Sequence, residues 1–192
     1  MQVRSYGKIR GLHVVTGAFG LNMVKLKLIQ PLEDETIKLI QAEKKHFEEM
    51  YDVAKDPKLW DQHDAIDRWK KEVFSKFFRK GLENENGLLA IINKKSNKII
   101  GSTRYYPHKE KLSIGYTFIS RDYWGTPTNF QIKKLMLDYA YQTTDEIYFH
   151  VWGNNFRSQK AVQKLGAEYF GNWGEEENHL TYLLKKNSWR SD

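Results

Sequence analysis

Between Gly87 and Trp152 the sequence changes its hydrophobic period twice, and few folds accommodate that order. Three short runs come first: GLLAIIN at 87–93, KIIGSTRYY at 98–106 and LSIGYTFIS at 112–120. The polar, proline-bearing spacers NKKSN and PHKEK part them. Runs of this length and composition between turn residues read as a three-stranded meander. A helical period follows, with Ile132, Leu135, Met136, Tyr139 and Ala140 on one face at i, i+3, i+4, i+7 and i+8. A strand at Glu146–Trp152 comes next, so the helix must cross back over the sheet, which favours parallel neighbours.

The flanks extend this pattern. VKLKLIQ at 24–30 sets Val24, Leu26, Leu28 and Gln30 against Lys25, Lys27 and Ile29, the two-residue period of a half-buried strand, and Pro31 stops it. Residues 33–51 and 60–80 read as two helices broken at Asp56-Pro57, the second with a stripe of Ile66, Trp69, Val73 and Phe77. Residues 155–165 read as a helix closed by Gly166, followed by strands near 168–173 and 180–185. The element order is β-αα-βββ-α-β-α-ββ. The fold class is α+β in three layers, with a mixed, mostly antiparallel sheet of about seven strands; each helix crossing favours a parallel neighbour.

A chain of 192 residues fits one domain at about 100–200 residues per domain. We place the domain at 23–192. Residues 1–22 form an N-terminal extension holding Arg4, Lys8 and Arg10 without an acid; they read as upstream sequence, a mistaken start ahead of Met23, or a weak targeting segment. There is no cysteine, which removes disulfides, thiolate metal sites and a cysteine nucleophile, and fits the cytoplasm. No apolar run approaches the roughly 18 residues that span a bilayer, so no membrane partner is expected. The six histidines show no ligand spacing, and no metal is expected. GxxxxGK[ST], GxGxxG, HExxH and GxSxG are all missing.

Two stretches carry candidate chemistry. In YWGTP at 123–127, Thr126 suits an N-cap and Pro127 then falls at N1, where its missing N–H costs nothing. Such a helix start is an anion site, or simply a well-made helix start. In NFRSQKAVQKLGA at 155–167, Ser158, Ala161, Val162 and Leu165 share one face, so the serine points to the interior or a pocket. Its hydroxyl needs a partner, which a carbonyl one turn earlier also provides.

Together these motifs, in this order and at this spacing, resemble the GNAT N-acetyltransferase superfamily from about Met23 to Lys186, and most closely its Rim-type branch of ribosomal-protein N-terminal alanine acetyltransferases. The resemblance implies an N-acetyltransferase using acetyl-coenzyme A. It places the pantetheine arm against the backbone of Phe118 and Ile119, and the pyrophosphate in the turn spanning Arg121, Trp124, Gly125, Thr126, Thr128 and Asn129. Asn155 would hold the pantetheine from the other side, Ser158 would protonate the thiolate, and Glu177 matches the branch's proposed base. Three glutamates in a row, Glu175–Glu177, also suit an ordinary solvated turn. The branch usually has a second glycine where this chain has Pro127, so the turn should offer one N–H donor fewer.

The implied acceptor is a primary amine, on a small molecule or a protein N-terminus. Asp56, Asp61, Asp64 and Asp67 beside Trp60 and Trp69 suit a cationic amine, or an ordinary charged helix start. A degenerate member that binds an acyl-coenzyme A without turnover remains open. The net charge of +7 raises a nucleic-acid-binding module, but the lysines are scattered among acids and no RNA-binding aromatic signature appears. A homodimer is compatible with the sequence.

Overall fold

The computed structural model describes residues 26, 28, 30–108, 110–173 and 178–190. Asp34 sets the first described turn. Its carboxylate accepts the N–H groups of Thr36 at 2.7 Å and Ile37 at 2.8 Å, so that β1 (Leu32–Glu33) folds back on β2 (Ile37–Gln41) as an antiparallel hairpin. Helical spacing alone places the start of a helix in this stretch. The aspartate turn competes with helical bonding, and Ile37 and Leu39 then alternate into the core. Of the strand expected at 24–30, Leu26 and Leu28 are buried as its period requires, and the Leu26 N–H donates to Asn86 Oδ1 at 2.8 Å. The alternating partners at 25, 27 and 29, and the extension at 1–22, lie outside the described residues.

Helix α1 covers only Phe47–Ala54, and α2 covers Lys71–Glu83 rather than starting at Trp60. Between them the Asp56-capped 3-10 turn at Pro57–Leu59 and a series of tight turns take up the chain, with Arg68 N–H bonded to the Ala65 carbonyl and Lys70 N–H to that of Asp67. The buried face of α2 is therefore Phe74, Phe77, Phe78 and Gly81, and Ile66 is left exposed.

The meander appears as read: β3 (Leu89–Asn93), β4 (Lys98–His108) and β5 (Lys111–Ile119) pair antiparallel in sequence. Then come α3 (Thr128–Ala140), β6 (Glu146–Trp152), α4 (Phe156–Lys164), β7 (Glu168–Asn172) and β8 (His179–Lys185). The sheet has eight strands in the order β1-β2-β3-β4-β5-β6-β8-β7. Only the first crossing yields adjacent parallel strands, β5 and β6. After the second, β8 slots antiparallel between β6 and β7, so those two never touch.

Two apolar clusters cover the two faces. Ile132, Met136, Leu137 and Ala140 of α3 and Val162 of α4 pack with Ile114, Ile147, Phe149 and Val151 on one side. Met50 and Ala54 of α1 and Phe74, Phe77 and Phe78 of α2 pack with Ala90, Ile99 and Phe118 on the other. Burying one such aromatic ring stabilises by about 1.5–3 kcal/mol, which is why the α2 stripe settles on phenylalanines.

Two features open the middle of the sheet. The parallel pair β5–β6 has a single register pair, Ser113 with Tyr148, and the strands part beyond it. Upstream, β4 and β5 slip register between Ser102 and Arg104, and Tyr116 adopts a left-handed φ of 52°. Gly101 holds the strained strand close, since a Cβ there would stand 2.0 Å from the Phe118 carbonyl oxygen.

Candidate active site

The parting of β5 and β6 makes a cleft of about 530 Å³ that runs through the sheet. At one mouth stand Trp124, Gly125 and Thr126 of the turn before α3 and Asn129, Phe130 and Lys133 of the helix; at the other stand Trp60, His63 and Arg68, on the α1–α2 side. Residues 114–119 and 149–152 form its walls, with Ser158 and Ala161 of α4 beside them.

Of the residues singled out from sequence, Phe118, Ile119, Trp124, Gly125, Thr126, Asn129, Asn155 and Ser158 all line this cleft. Arg121 and Thr128 do not. Arg121 is drawn into an ion pair with Asp56, and Thr128 is buried, its N–H and hydroxyl both within bonding distance of the Thr126 hydroxyl. Glu175, Glu176 and Glu177 lie outside the described residues. Helix α3 starts at Thr128 with Pro127 as its cap residue, one position later than the sequence suggested; even so, the Thr126 hydroxyl accepts the Thr128 N–H at 3.3 Å.

That arrangement decides which donors face the cleft. The Thr126 N–H is spent on the Tyr123 carbonyl at 3.4 Å and that of Thr128 on Thr126, whereas among the described residues nothing meets the N–H groups of Gly125, Asn129 and Phe130. Gly125 has φ 74°, and a Cβ placed on it would meet nothing within 4 Å, so open space lies over the turn. The turn thus keeps free donors at Gly125 and Asn129, two of the positions singled out from sequence, adds Phe130, and has those of Thr126 and Thr128 spent. Unpaired donors at a helix start favour an anionic group. Asn155 caps α4, its Oδ1 accepting the Ser158 N–H at 3.0 Å, which fixes where the serine stands.

Several groups in the cleft escaped the sequence reading. Lys133 Nζ donates to Thr117 Oγ1 at 2.6 Å, and burial pushes its ammonium down to about 7. Its signal was present: Lys133, Leu137 and Ala140 share one stripe at i, i+4 and i+7. His150 sits within the apolar strand EIYFHVW, its Nε2 3.2 Å from Ser113 Oγ and its Nδ1 3.2 Å from Thr181 Oγ1. Burial, with His108 and His179 nearby, pushes this imidazole down to about 3, so it is neutral at pH 7. These histidines pack around Trp173, and among the described residues no cluster of His, Asp and Glu is placed to hold a metal ion. Arg157 lies 4.1 Å over the Trp124 ring and donates to the Leu59 carbonyl at 3.1 Å, spanning from one mouth to the other.

The four aspartates expected to attract a cationic amine are all engaged. Asp56 pairs with Arg121, Asp61 with Arg157, Asp64 with His63 and Asp67 with Lys70.

Residues 36–168 match the family model described as an acetyltransferase (GNAT) domain. The chain belongs to the GNAT acetyltransferase family. Comparison with curated proteins finds no match. Among solved structures, a GCN5-related N-acetyltransferase from Brucella melitensis is similar in fold, with TM-score 0.73 and 14% identity over 83% of this chain and 80% of that one. A probable GNAT-family acetyltransferase from Chromobacterium violaceum matches with TM-score 0.72 and 15% identity over 98% of both chains. A ribosomal-protein-S5-alanine acetyltransferase from Vibrio fischeri matches with TM-score 0.61 and 15% identity over 84% of this chain and 99% of that one.

Acetyl transfer is the chemistry of GNAT enzymes, and acetyl-coenzyme A is their usual acyl donor. The residues of this GNAT protein fit that donor: a through-sheet cleft of about 530 Å³ offers an extended channel, and the open turn at Gly125 offers unpaired N–H groups to an anionic head. Among the described residues, no helix is long and apolar enough to cross a membrane.

Proposed function

We propose that this GNAT protein is an N-acetyltransferase that moves an acetyl group from acetyl-coenzyme A to a primary amine by direct attack within a ternary complex, and that it belongs with the Rim-type branch. The observation that carries this reading is the cleft between β5 and β6, with an open donor turn at one mouth and Ser158 fixed in its wall. The branch assignment rests on YWGTP and NFRSQKAVQKLGA, which fall on that turn and on α4. A cytoplasmic site of action is part of the proposal and rests on the cysteine-free sequence.

Acetyl-coenzyme A supplies the activated acyl group as a thioester. The N–H groups of Gly125, Asn129 and Phe130 bind the anionic head, and the freed edge of β5 at Phe118 and Ile119 orients the extended arm. The walls bring donor and amine into one geometry, the largest single source of rate in a direct transfer. Ser158 hydrogen-bonds to the leaving thiolate and passes it a proton, and the serine is made whole by the proton that the attacking nitrogen sheds. His150 is neutral and bonded at both ring nitrogens, so it orients its neighbours and does not store a proton. The amine therefore enters neutral or gives its proton to Glu177 or to water.

A second reading, acyl-coenzyme A binding without turnover, is favoured by one observation: the N–H groups of Thr126 and Thr128 in the turn are already spent. Calorimetric titration with acetyl-coenzyme A, followed by mixing with a broad amine panel and monitoring free thiol, separates the two. The transferase reading expects binding and thiol release, with Ser158→Ala lowering kcat about ten- to a hundredfold at unchanged coenzyme A affinity. Binding with no thiol release across the panel would leave only the second reading.

A further inference from the structure

On the α1–α2 side the mouth of the cleft presents Arg68 with Arg104 behind it, and among the described residues neither has a carboxylate partner. Arg68 lines it, its guanidinium carbon 5.1 Å over the Trp60 ring and 4.7 Å over that of Phe77, and its Nη1 lies 3.3 Å from His63 Nε2. Arg104 of β4 stands one ring behind, its guanidinium carbon 3.5 Å over the ring of Tyr116, which itself lines the cleft. Arg104 is 8% exposed, and among the described residues its buried Nε and Nη1 have no hydrogen-bond partner. The two cations sit close enough for the charge of Arg104 to act on Arg68.

Charges taken out of water are paired, or they wait for a partner. Among the described residues no carboxylate stands within ion-pair distance of either guanidinium, because the acids of the neighbouring turns are held elsewhere: Asp61 by Arg157, Asp64 by His63 and Asp67 by Lys70. Asp64 is the acid whose charge reaches Arg68, and desolvation still outweighs it and lowers the guanidinium from its usual range. The aromatic shelf of Trp60, Phe77 and Tyr116 holds both guanidinium planes, a fixed presentation suited to bidentate anion binding.

We propose that the acceptor end of this cleft is an anion subsite, in which Arg68 makes the contact and Arg104 adds charge from behind Tyr116, and that the acceptor is an amine that also carries a carboxylate or phosphate group. This rests on the N-acetyltransferase reading for the amine, but not for the anion. A plain polyamine or an uncharged amino sugar presents no group to these arginines. The subsite would thus set specificity at the mouth opposite the donor turn.

Two readouts keep the proposal separate from the transferase reading. In the first, the protein saturated with coenzyme A is titrated calorimetrically with matched pairs: glucosamine 6-phosphate against glucosamine, and L-glutamate against its diamide. The expected result is binding of at least one anionic member at least tenfold tighter than its partner whose anionic group is absent or amidated (the neutral member), the pair that responds telling phosphate from carboxylate. Arg68→Gln should then cut that preference at least fivefold, with coenzyme A affinity reporting that the variant is folded. In the second, the same pairs are assayed for thiol release from acetyl-coenzyme A, and Arg68→Gln should raise KM for the anionic member more than for the neutral one. Arg104→Met tests the rear charge. Should it fail to fold, Arg68→Gln decides alone. Neutral members binding as well as anionic ones, or a preference that survives Arg68→Gln, overturns the proposal. Absence of thiol release overturns the transferase reading, while the binding arm still judges the anion subsite.

Discussion

The two mouths of the cleft are built from different material. At the turn before α3 the recognising groups are backbone: unpaired N–H groups of Gly125, Asn129 and Phe130, held by a glycine at φ 74° and by the threonine bonds beneath it. On the α1–α2 side they are side chains: Trp60, His63, Arg68 and Tyr116, with Arg104 behind. A backbone site tolerates changes of side chain but not of dihedral angle, whereas a side-chain site is the reverse. That difference suits a cleft whose one end takes the family's common donor and whose other end differs between members.

The largest test strikes at Lys133, on α3 beside the donor turn. Its ammonium is held down to about 7 by burial, against about 10.4 in an unfolded chain, so the unfolded state binds more protons between those values and stability rises with pH across that window. The penalty is complete below about pH 7. We expect Lys133→Met to stabilise the protein by about 2–4 kcal/mol at pH 6–7, the gain fading as pH climbs toward 10.5; urea titrations at pH 6, 8 and 10 measure it. A gain independent of pH would mean that packing, not charge, was relieved.

Next comes the backbone end. Gly125→Val forces a branched side chain to φ 74° and should cost about 1–3 kcal/mol, read as at least a tenfold loss of coenzyme A affinity with little change in amine preference. Loss of amine preference instead would erase the distinction between the two mouths.

Asn155→Ala is smaller. Removing the cap from α4 should lower stability by about 1 kcal/mol in a denaturant titration, and should lower kcat through misplacement of Ser158, whose N–H the cap holds at 3.0 Å. The smallest concerns His150, depressed to about 3 against an unfolded value near 6.5: stability is complete above about pH 6.5 and declines as pH falls. Discounted for partial exposure, this should cost under about 1 kcal/mol at pH 5, and His150→Gln should flatten that part of the stability profile.

The sequence made the backbone end legible and the side-chain end nearly invisible, for a physical reason. Gly125, Pro127, Asn155 and Gly166 are punctuation whose conformational demands are local, and both motifs landed on elements that line the cleft. Arg68 and Arg104 meet Trp60 and Tyr116 only through tertiary packing of a turn, a strand and a bulge, which no periodicity announces. The same limit explains the misread segments. The Asp34 turn and the tight turns of 61–70 are short-range competitors that override helical spacing, whereas the meander from β3 to β5 has no such competitor and was read nearly to the residue. Lys133 is the exception, since its stripe with Leu137 and Ala140 is periodic and so legible in the sequence.

Because β5 and β6 share the single register pair Ser113–Tyr148, the sheet is mechanically two panels, one running from β1 to β5 and the other joining β6, β8 and β7. Little backbone hydrogen bonding crosses the seam. The cooperativity of unfolding must then be transmitted by side chains that pack over it: Ile132 and Met136 of α3 against Ile114 on one panel and Ile147 and Phe149 on the other. A truncation such as Met136→Ala should therefore broaden the unfolding transition as well as lower its midpoint, by loosening the two panels from each other. An extended ligand lying in the seam and bonding to both freed edges would act as the missing rungs, making the substrate a structural member of the sheet.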